Sequence, residues 1–195
     1  MTRKIFILLG HPDAETLSGK FADAYEAGAL SADHDVRRQD LGEMQFDPIL
    51  HKGYKAIQKL EPDLLTFQEN VRWCDHLVVV YPNWWSTMPA ILKGLIDRAW
   101  LPGFAFRFRK EGPLKGVLWD PLLTGKTARI IISANTRGWI TWLLFGEFTN
   151  ELARATLGFA GFRTRVSLFA PSEKASETAR TRWIMRVKRL GKRAI

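Results

Sequence analysis

Cysteine and long apolar runs are scarce in this chain of 195 residues. Its single cysteine, Cys74, excludes an internal disulfide framework, and no Cys/His spacing resembles a zinc site, so we predict no metal site. No apolar run approaches the roughly 18 residues that a membrane-spanning helix needs. The apolar run near the start is interrupted at Gly10, too early for a signal peptide, so we expect a cytoplasmic protein.

The composition is that of one globular domain over residues 1–195. Apolar residues make up 46% of the chain and charged residues 25%, both close to average usage, so a sizeable core is expected. The sequence contains no internal repeat, low-complexity tract or linker that would divide it.

The formal net charge of +9 is concentrated at one end of the chain. Residues 171–195 contain eight Lys or Arg residues and two Glu residues. Apolar residues recur at helical spacing in this segment, so we expect the charges on the solvated outer face of a docked helix; a surface for acidic lipid or a protein partner is the alternative. Nucleic-acid binding is not expected, because no base-reading module is present. The apolar residues are Ala179, Trp183, Val187 and Leu190.

Strand-like and helix-like segments alternate along the chain, which is typical of βαβ units around a parallel sheet. Three of the strands are apolar runs, as in a sheet covered on both faces, whereas the second is polar and suits an edge. We predict an α/β fold with a doubly wound five-stranded parallel sheet, strand order 2-1-3-4-5, and helices on both faces. The strand patterns cover residues 4–9, 36–41, 77–81, 128–133 and 164–169, and the helical patterns 17–30, 89–100, 148–158 and 173–190.

A segment rich in Gly, Pro and aromatic residues separates the third and fourth strands, over residues 101–127. We predict a long functional loop here, since its aromatic content argues against disorder.

The loop after the first strand has the features of an anion site. A helix begins near Leu17, and the free backbone N–H groups of its first turn favour a negatively charged ligand. The loop lacks a G-x-G-x-x-G motif, so a phosphate monoester fits better than a dinucleotide. The alternative is that Thr16 only caps the helix while Asp13 and Glu15 complement its dipole. Side chains that could add donors or positive charge are His11, Thr16, Ser18 and Lys20.

Two adjacent tryptophans, Trp84 and Trp85, follow the third strand in a short loop before Pro89. Ligands of open α/β sheets bind beyond the carboxyl ends of the strands, so this loop is a candidate wall for a flat aromatic ligand. A short loop has little room to bury both rings, and one in the core with one facing the ligand is a possible arrangement.

A third loop, residues 133–139, follows the fourth strand and should meet the other two at the same edge of the sheet. The next residues, 140–145, are almost entirely apolar. This segment is either a pocket lid or subunit interface, or it is buried in the ordinary way.

Together these loops resemble those of the flavodoxin-like NAD(P)H:quinone oxidoreductases. The longest match is the run Pro82-Asn83-Trp84-Trp85-Ser86-Thr87-Met88-Pro89-Ala90-Ile91-Leu92-Lys93-Gly94-Leu95-Ile96-Asp97-Arg98. Further matches are Gly10-His11-Pro12 with Thr16-Leu17-Ser18, and the segment 156–162.

The resemblance implies a flavodoxin-like fold and a non-covalently bound flavin, FMN in preference to FAD because the chain is short. It implies that His11, Thr16, Leu17 and Ser18 hold the flavin phosphate and ribityl region. It further implies that Pro82, Asn83, Trp84 and Trp85 line the isoalloxazine. Ser133, Asn135 and Thr136 complete the predicted cofactor site. Residues predicted to contact the acceptor or the nicotinamide are Phe104, Phe106, Arg137 and Trp139.

The chain departs from the family pattern at two places. Many members have Thr-Thr-Gly-Gly after the fourth strand, and only Thr136 and Gly138 agree with that pattern here. No Tyr follows Tyr81 and no His follows His76, so the proton relay of the mammalian-type enzymes is missing. We therefore predict no catalytic acid or base, and expect the proton to come from water or the substrate.

The predicted function is hydride transfer from NAD(P)H, through the flavin, to a quinone-like acceptor. The family is often homodimeric, and the segment 139–145 is compatible with a dimer interface. The alternative is a flavodoxin-like ancillary subunit that docks on a membrane transport protein through the basic terminal helix and the segment 139–145.

Overall fold

The computed structural model describes residues 2–111 and 114–195. Gly112 and Pro113, which belong to the predicted loop 101–127, lie outside the described residues. In chain order the elements are β1 (Lys4–Leu9), α1 (Leu17–Leu30), β2 (Asp35–Asp40), a 3₁₀ turn (Gly53–Lys55), α2 (Pro62–Trp73), β3 (His76–Pro82), α3 (Ala90–Ala99), β4 (Phe106–Phe108), β5 (Trp119–Pro121), β6 (Thr127–Ser133), α4 (Gly138–Phe145), a π-helix (Glu151–Gly158), β7 (Arg163–Phe169) and α5 (Glu177–Arg193).

The central sheet has the order β2-β1-β3-β6-β7, and all of its strands are parallel. This confirms the predicted order 2-1-3-4-5, with β6 and β7 as the fourth and fifth strands. The polar strand β2 lies at an edge, as its sequence indicates. The order reverses between β1 and β3, which is the position where doubly wound sheets open a crevice at their carboxyl edge.

Side chains alternate along each strand and so contribute to two cores. Phe6 and Leu8 of β1 face α2, α3 and the π-helix, whereas Ile5 and Ile7 face α1 and α5. Each of these four side chains is almost fully buried. At roughly 25 cal/mol per Å² of apolar surface, burial on both faces supplies the main driving force for this arrangement.

The basic terminal helix docks as predicted. Val187 of α5 is fully buried against α1, and Trp183 and Leu190 are partly buried beside it. The two helices approach so closely that a Cβ atom on Gly28 would lie 2.0 Å from the carbonyl oxygen of Lys188. Most of the basic residues of α5 remain exposed on its outer face.

The prediction of a long loop over residues 101–127 was wrong in part. Within this segment β4 and β5 pair antiparallel as a two-stranded sheet. Trp119 of β5 stacks on Phe159, with ring centroids 4.1 Å apart, and thereby holds the hairpin on the chain after the π-helix. Strands of three residues are too short to produce a recognisable alternation, so the aromatic contacts specify the hairpin.

The segment 140–145 forms most of α4, and its large apolar side chains are exposed. The alternative of ordinary burial is therefore wrong for this segment. The predicted helix 148–158 is present as the π-helix, and α2 was not predicted. In the part of the chain that the structure describes, no helix is both long and apolar enough to cross a bilayer.

Candidate functional site

A cleft of about 190 Å³ opens at the carboxyl ends of β1, β3 and β6, beside the reversal in strand order. All three loops predicted to converge contribute to its wall. Its lining residues are His11, Thr16, Leu17, Ser18, Pro82, Asn83, Trp84, Ser133, Ala134, Asn135, Ser172 and Glu173.

The start of α1 supplies backbone donors to this cleft. Thr16 caps the helix, because its Oγ1 accepts a hydrogen bond of 3.2 Å from the backbone N–H of Gly19. The capping interpretation is thus confirmed, and the Thr16 hydroxyl oxygen is already engaged. Leu17 and Ser18 occupy the first turn, where the helix itself offers no acceptor for their N–H groups. Capping and anion binding are therefore compatible at this helix start.

His11 is held in a defined orientation at the rim of the cleft. Its Nδ1 accepts a hydrogen bond of 2.9 Å from the backbone N–H of Asp13, so the proton of the neutral ring is on Nε2. The His11 ring also meets the edge of the Trp84 ring at a centroid distance of 5.3 Å. The Nε2–H group is therefore a fixed donor between the loop that follows β1 and the tryptophan loop.

The ends of β3 and β6 are joined to the start of α1 by two polar contacts. The backbone N–H of Asn83 donates to the carbonyl oxygen of Ser133 at 2.8 Å. The hydroxyl groups of Ser18 and Ser133 lie 3.3 Å apart. These contacts fix the three loops relative to one another.

The tryptophan loop is a tight two-residue turn. Backbone hydrogen bonds run both ways between Trp84 and Thr87, at 3.0 and 3.1 Å. The residues between them, Trp85 and Ser86, have φ values of 53° and 62°, a conformation that costs free energy in any residue except glycine. Thr87 donates a hydrogen bond from its hydroxyl to the Glu151 carboxylate and so ties the turn to the π-helix.

Both tryptophan rings are exposed, Trp84 by 43% and Trp85 by 99%. The arrangement with one ring in the core is therefore wrong, because the turn projects both side chains away from the sheet. Within the turn the N–H groups of Trp84 and Thr87 are engaged. The N–H groups of Trp85 and Ser86, at the tip of the turn, form no backbone hydrogen bond within the described residues.

Three lining residues were not among the predicted site residues: Ala134, which belongs to the predicted loop 133–139, and Ser172 and Glu173. The side-chain oxygen of Asn135 accepts hydrogen bonds from the Ser172 hydroxyl, at 2.8 Å, and from the backbone N–H of Glu173, at 3.3 Å. Ser172 and Glu173 follow β7, the last strand of the sheet. The rule that ligands lie beyond the carboxyl ends of strands could have identified them.

Some predicted residues do not line this cleft. Trp85 and Thr136 lie beside it, and Arg137 and Trp139 are exposed at the start of α4. Phe104 is only 5% exposed, and its ring packs against Trp100 at a centroid distance of 5.6 Å.

Phe106 is half-buried and packs against Phe108 and Phe159. The hairpin thus takes Phe104 and Phe106 into its own packing, and neither ring is a wall of the cleft.

The residues present fit a ligand with an anionic end and a flat aromatic end. The first turn of α1 offers N–H donors to the anion, and His11 adds another. Elsewhere in the wall of the same cleft, the exposed Trp84 offers a π surface to a planar ring.

Comparisons with known proteins agree with this geometry. A family model described as a flavodoxin-like fold matches residues 3–187. The chain is 31% identical to the uncharacterized NAD(P)H oxidoreductase YcaK of Escherichia coli (strain K12) over 129 residues, 64% of this chain and 66% of that protein. The alignment thus spans just under two thirds of the E. coli relative.

Longer matches cover nearly the whole chain. Identity to the ribosyldihydronicotinamide dehydrogenase (quinone) of Rattus norvegicus is 28% over 220 aligned positions, covering 97% of this chain and 93% of that protein. The crystal structure of Smu.1420 from Streptococcus mutans UA159 superimposes with a TM-score of 0.81 and 28% identity, covering 97% of this chain and 98% of that one. The likeness therefore includes every loop that forms the cleft.

Proposed function

This chain belongs to the flavodoxin-like family of NAD(P)H:quinone oxidoreductases, and we propose that it transfers hydride from NAD(P)H, through bound FMN, to quinone-like acceptors. The observation that carries the proposal is the cleft itself, in which a helix start and an exposed tryptophan turn face one ligand site. When bound, the flavin supplies the hydride chemistry, and the protein supplies binding and orientation.

The start of α1 would hold the flavin phosphate. The N–H groups of Leu17 and Ser18 are donors to a dianion, and the positive end of the helix dipole adds to their attraction. A phosphate monoester is favoured over a dinucleotide because the loop lacks the glycines for close approach to a pyrophosphate. FMN is therefore the proposed cofactor, with FAD as the alternative.

The tryptophan turn would hold the isoalloxazine. The N–H groups of Trp85 and Ser86 can donate to the polar edge of the ring and stabilise negative charge there. The Thr87–Glu151 hydrogen bond keeps the turn in place, so these donors are oriented before the ligand arrives.

No side chain is assigned as catalytic acid or base. Burial, aided by the Glu151 carboxylate, raises the pKa of the Tyr81 phenol above its ordinary value. Tyr81 is also only 2% exposed, so it is a poor proton donor to a ligand in the cleft. We infer that water delivers the proton to the reduced acceptor.

A second copy of this chain is the proposed partner. Five large apolar side chains of α4 are 61–70% exposed, and α4 begins three residues after Asn135 of the cleft wall. A monomer would leave this contiguous apolar surface in water, whereas a homodimer would cover it beside the cofactor. The residues are Trp139, Trp142, Leu143, Leu144 and Phe145.

The proposal is tested by mixing purified protein with FMN, removing unbound flavin and adding NADH or NADPH with a benzoquinone. We expect a yellow protein fraction and nicotinamide oxidation that requires both flavin and quinone. A colourless fraction with no oxidation would show that the proposed function is wrong.

A further inference from the structure

A second pocket, of about 390 Å³, lies at the amino-terminal ends of the strands, at the edge of the sheet opposite the cleft. It is formed where β3, β6 and β7 begin, and the end of α5 closes it. No residue of the cofactor cleft contributes to it. The lining residues are Arg3, His76, Thr127, Ala128, Arg163, Thr164, Arg165, Ala194 and Ile195.

The strands change character along the sheet face that is covered by α1 and α5. Towards the carboxyl edge this face is apolar, with Val78 and Val80 of β3, Ile131 of β6 and Phe169 of β7. Towards the amino edge the alternating positions of the same strands are polar or cationic. These residues are His76, Thr127, Arg129, Arg163 and Arg165.

The arginines of this face lie close enough to repel one another. Arg129 of β6 and Arg165 of β7 are directly opposite one another in the parallel register. Like charges in that position destabilise a sheet. Arg163 lies two residues before Arg165, on the same face of β7.

These charges lack acidic partners in residues 2–111 and 114–195. Arg3, Arg129, Arg163 and Arg165 form no ion pair among the described residues. Arg129 is only 7% exposed and does not itself line the pocket; its Nη1 donates to the Ser167 hydroxyl at 3.2 Å, and its Nε has no hydrogen-bond partner within the described part of the chain. Cations without counter-charges repel one another, so an anion bound among Arg3, Arg163 and Arg165 would stabilise this end of the sheet.

His76 provides an independent sign of a missing ligand. It lines the pocket and is only 2% exposed. Its Nδ1 is hydrogen-bonded to the Thr127 hydroxyl at 2.7 Å, whereas its Nε2 is buried with no partner among the residues described. Buried polar atoms of native proteins nearly always have a partner, so an unpaired nitrogen in the wall of this pocket points to an absent hydrogen-bond partner.

We propose that this pocket binds a phosphate group, carried either by free phosphate or by a small phosphorylated metabolite. Arg163 and Arg165 are exposed and can move to make charge-assisted hydrogen bonds, while Arg3 and His76 form the inner wall. Arginine suits this task because its planar group binds phosphate oxygens in pairs. The site would be separate from the cofactor cleft and occupied at the same time.

The test is calorimetric titration of the FMN-saturated protein with inorganic phosphate and with ribose 5-phosphate, at constant ionic strength in chloride. Saturating FMN occupies the proposed phosphate position at α1. The variants Arg163→Gln and Arg165→Gln each remove one exposed charge at the pocket. Arg182→Gln makes the same change on the exposed face of α5, away from the pocket, and Ser18→Ala alters the cofactor cleft.

We expect the two pocket variants to weaken binding of the phosphate ligand by roughly tenfold or more, the usual effect of losing a charged hydrogen bond. Arg182→Gln and Ser18→Ala should bind as the parent chain does. Arg165→Gln should also raise the midpoint of thermal unfolding in chloride, because it removes a like-charge pair. Binding of only one of the two ligands would identify the source of the phosphate group.

Three results would overturn the proposal. They are no binding of either ligand, binding that both pocket variants retain, and binding that only Ser18→Ala abolishes, which would place the ligand in the cofactor cleft. Failure here leaves flavin binding and nicotinamide oxidation unaffected, so it is distinguishable from failure of the proposed function.

Discussion

The hydroxyl oxygens of Ser18 and Ser133 lie 3.3 Å apart in the interior, one at the start of α1 and the other at the end of β6. Both residues are at least 93% buried. Ser133 also accepts the backbone hydrogen bond of Asn83, which leads into the tryptophan turn. This contact therefore connects the proposed phosphate end of the cofactor site to its proposed ring end.

The effect of Ser18 on flavin binding should show where the flavin phosphate is bound. The variant Ser18→Ala loses a hydroxyl at the start of α1, so we expect about tenfold weaker binding of FMN. Riboflavin, which has no phosphate, should bind the variant and the parent chain equally. The matched control is Ser31→Ala, at the opposite end of the same helix. Equal losses for FMN and riboflavin would show that the phosphate lies elsewhere.

The strained turn offers a second test, since strain and ligand contact can be separated there. Replacing either Trp85 or Ser86 with glycine should raise the free energy of unfolding by about 1 kcal/mol, because glycine tolerates a positive φ. Ser86→Gly should keep flavin affinity, whereas Trp85→Gly should reduce it through loss of the ring. Denaturant unfolding and flavin titration measure the two effects. A lower free energy of unfolding for Ser86→Gly would show that the positive φ of Ser86 does not destabilise the protein.

The stability of the protein should fall in acid because of His76. Burial, aided by Arg3, Arg129 and His34, lowers the pKa of His76 to about 3, from an ordinary value of 6.5. Between these values the unfolded chain binds a proton that the folded chain does not, so stability increases with pH in this window. Tyr25, which stacks on the His76 ring, is neutral throughout this window, because the ordinary pKa of tyrosine is about 10 and burial raises it further.

Denaturant unfolding in chloride between pH 3 and pH 6.5 should therefore show a contribution of about 1.4 kcal/mol per pH unit from His76. The variant His76→Gln should have a correspondingly flatter profile. An unchanged slope in this variant would show that other groups cause the acid sensitivity.

The oligomeric state should depend on α4. Leu143 is 68% exposed, so Leu143→Glu adds a charge to the proposed interface without disturbing the core. We expect sedimentation to give a dimer for the parent chain and a monomer for this variant. Leu65→Glu on α2, where the leucine is 53% exposed, is the matched control and should remain dimeric. A parent chain that is monomeric at micromolar concentration would refute the dimer.

The sequence predicted the elements that are specified by continuous or periodic apolar patterns. Strand β3 is a run of valines between polar ends, and its neighbours β1 and β6 are similar, so their central position followed directly. Helix α2 has Leu64, Phe67 and Val71 at helical spacing, but its mean hydropathy is low and it was overlooked.

The residues predicted to bind the cofactor that do line the cleft lie in loops placed by strand ends, as with Ser18 and Asn83. Phe104 and Phe106 were misplaced because long-range aromatic packing decides where the hairpin folds. Ser172 and Glu173 were missed because polar residues after an edge strand carry no local pattern of their own. Tertiary contacts, and not residue type, determine these parts of the site.

A crystal structure of the protein grown with FMN tests the central claim most directly. The account predicts the flavin phosphate within hydrogen-bond distance of the N–H groups of Leu17 and Ser18, with the ring against the turn that contains Trp84 and Trp85. Flavin density at the pocket around Arg163, or a cleft filled only by water at saturating FMN, would contradict it.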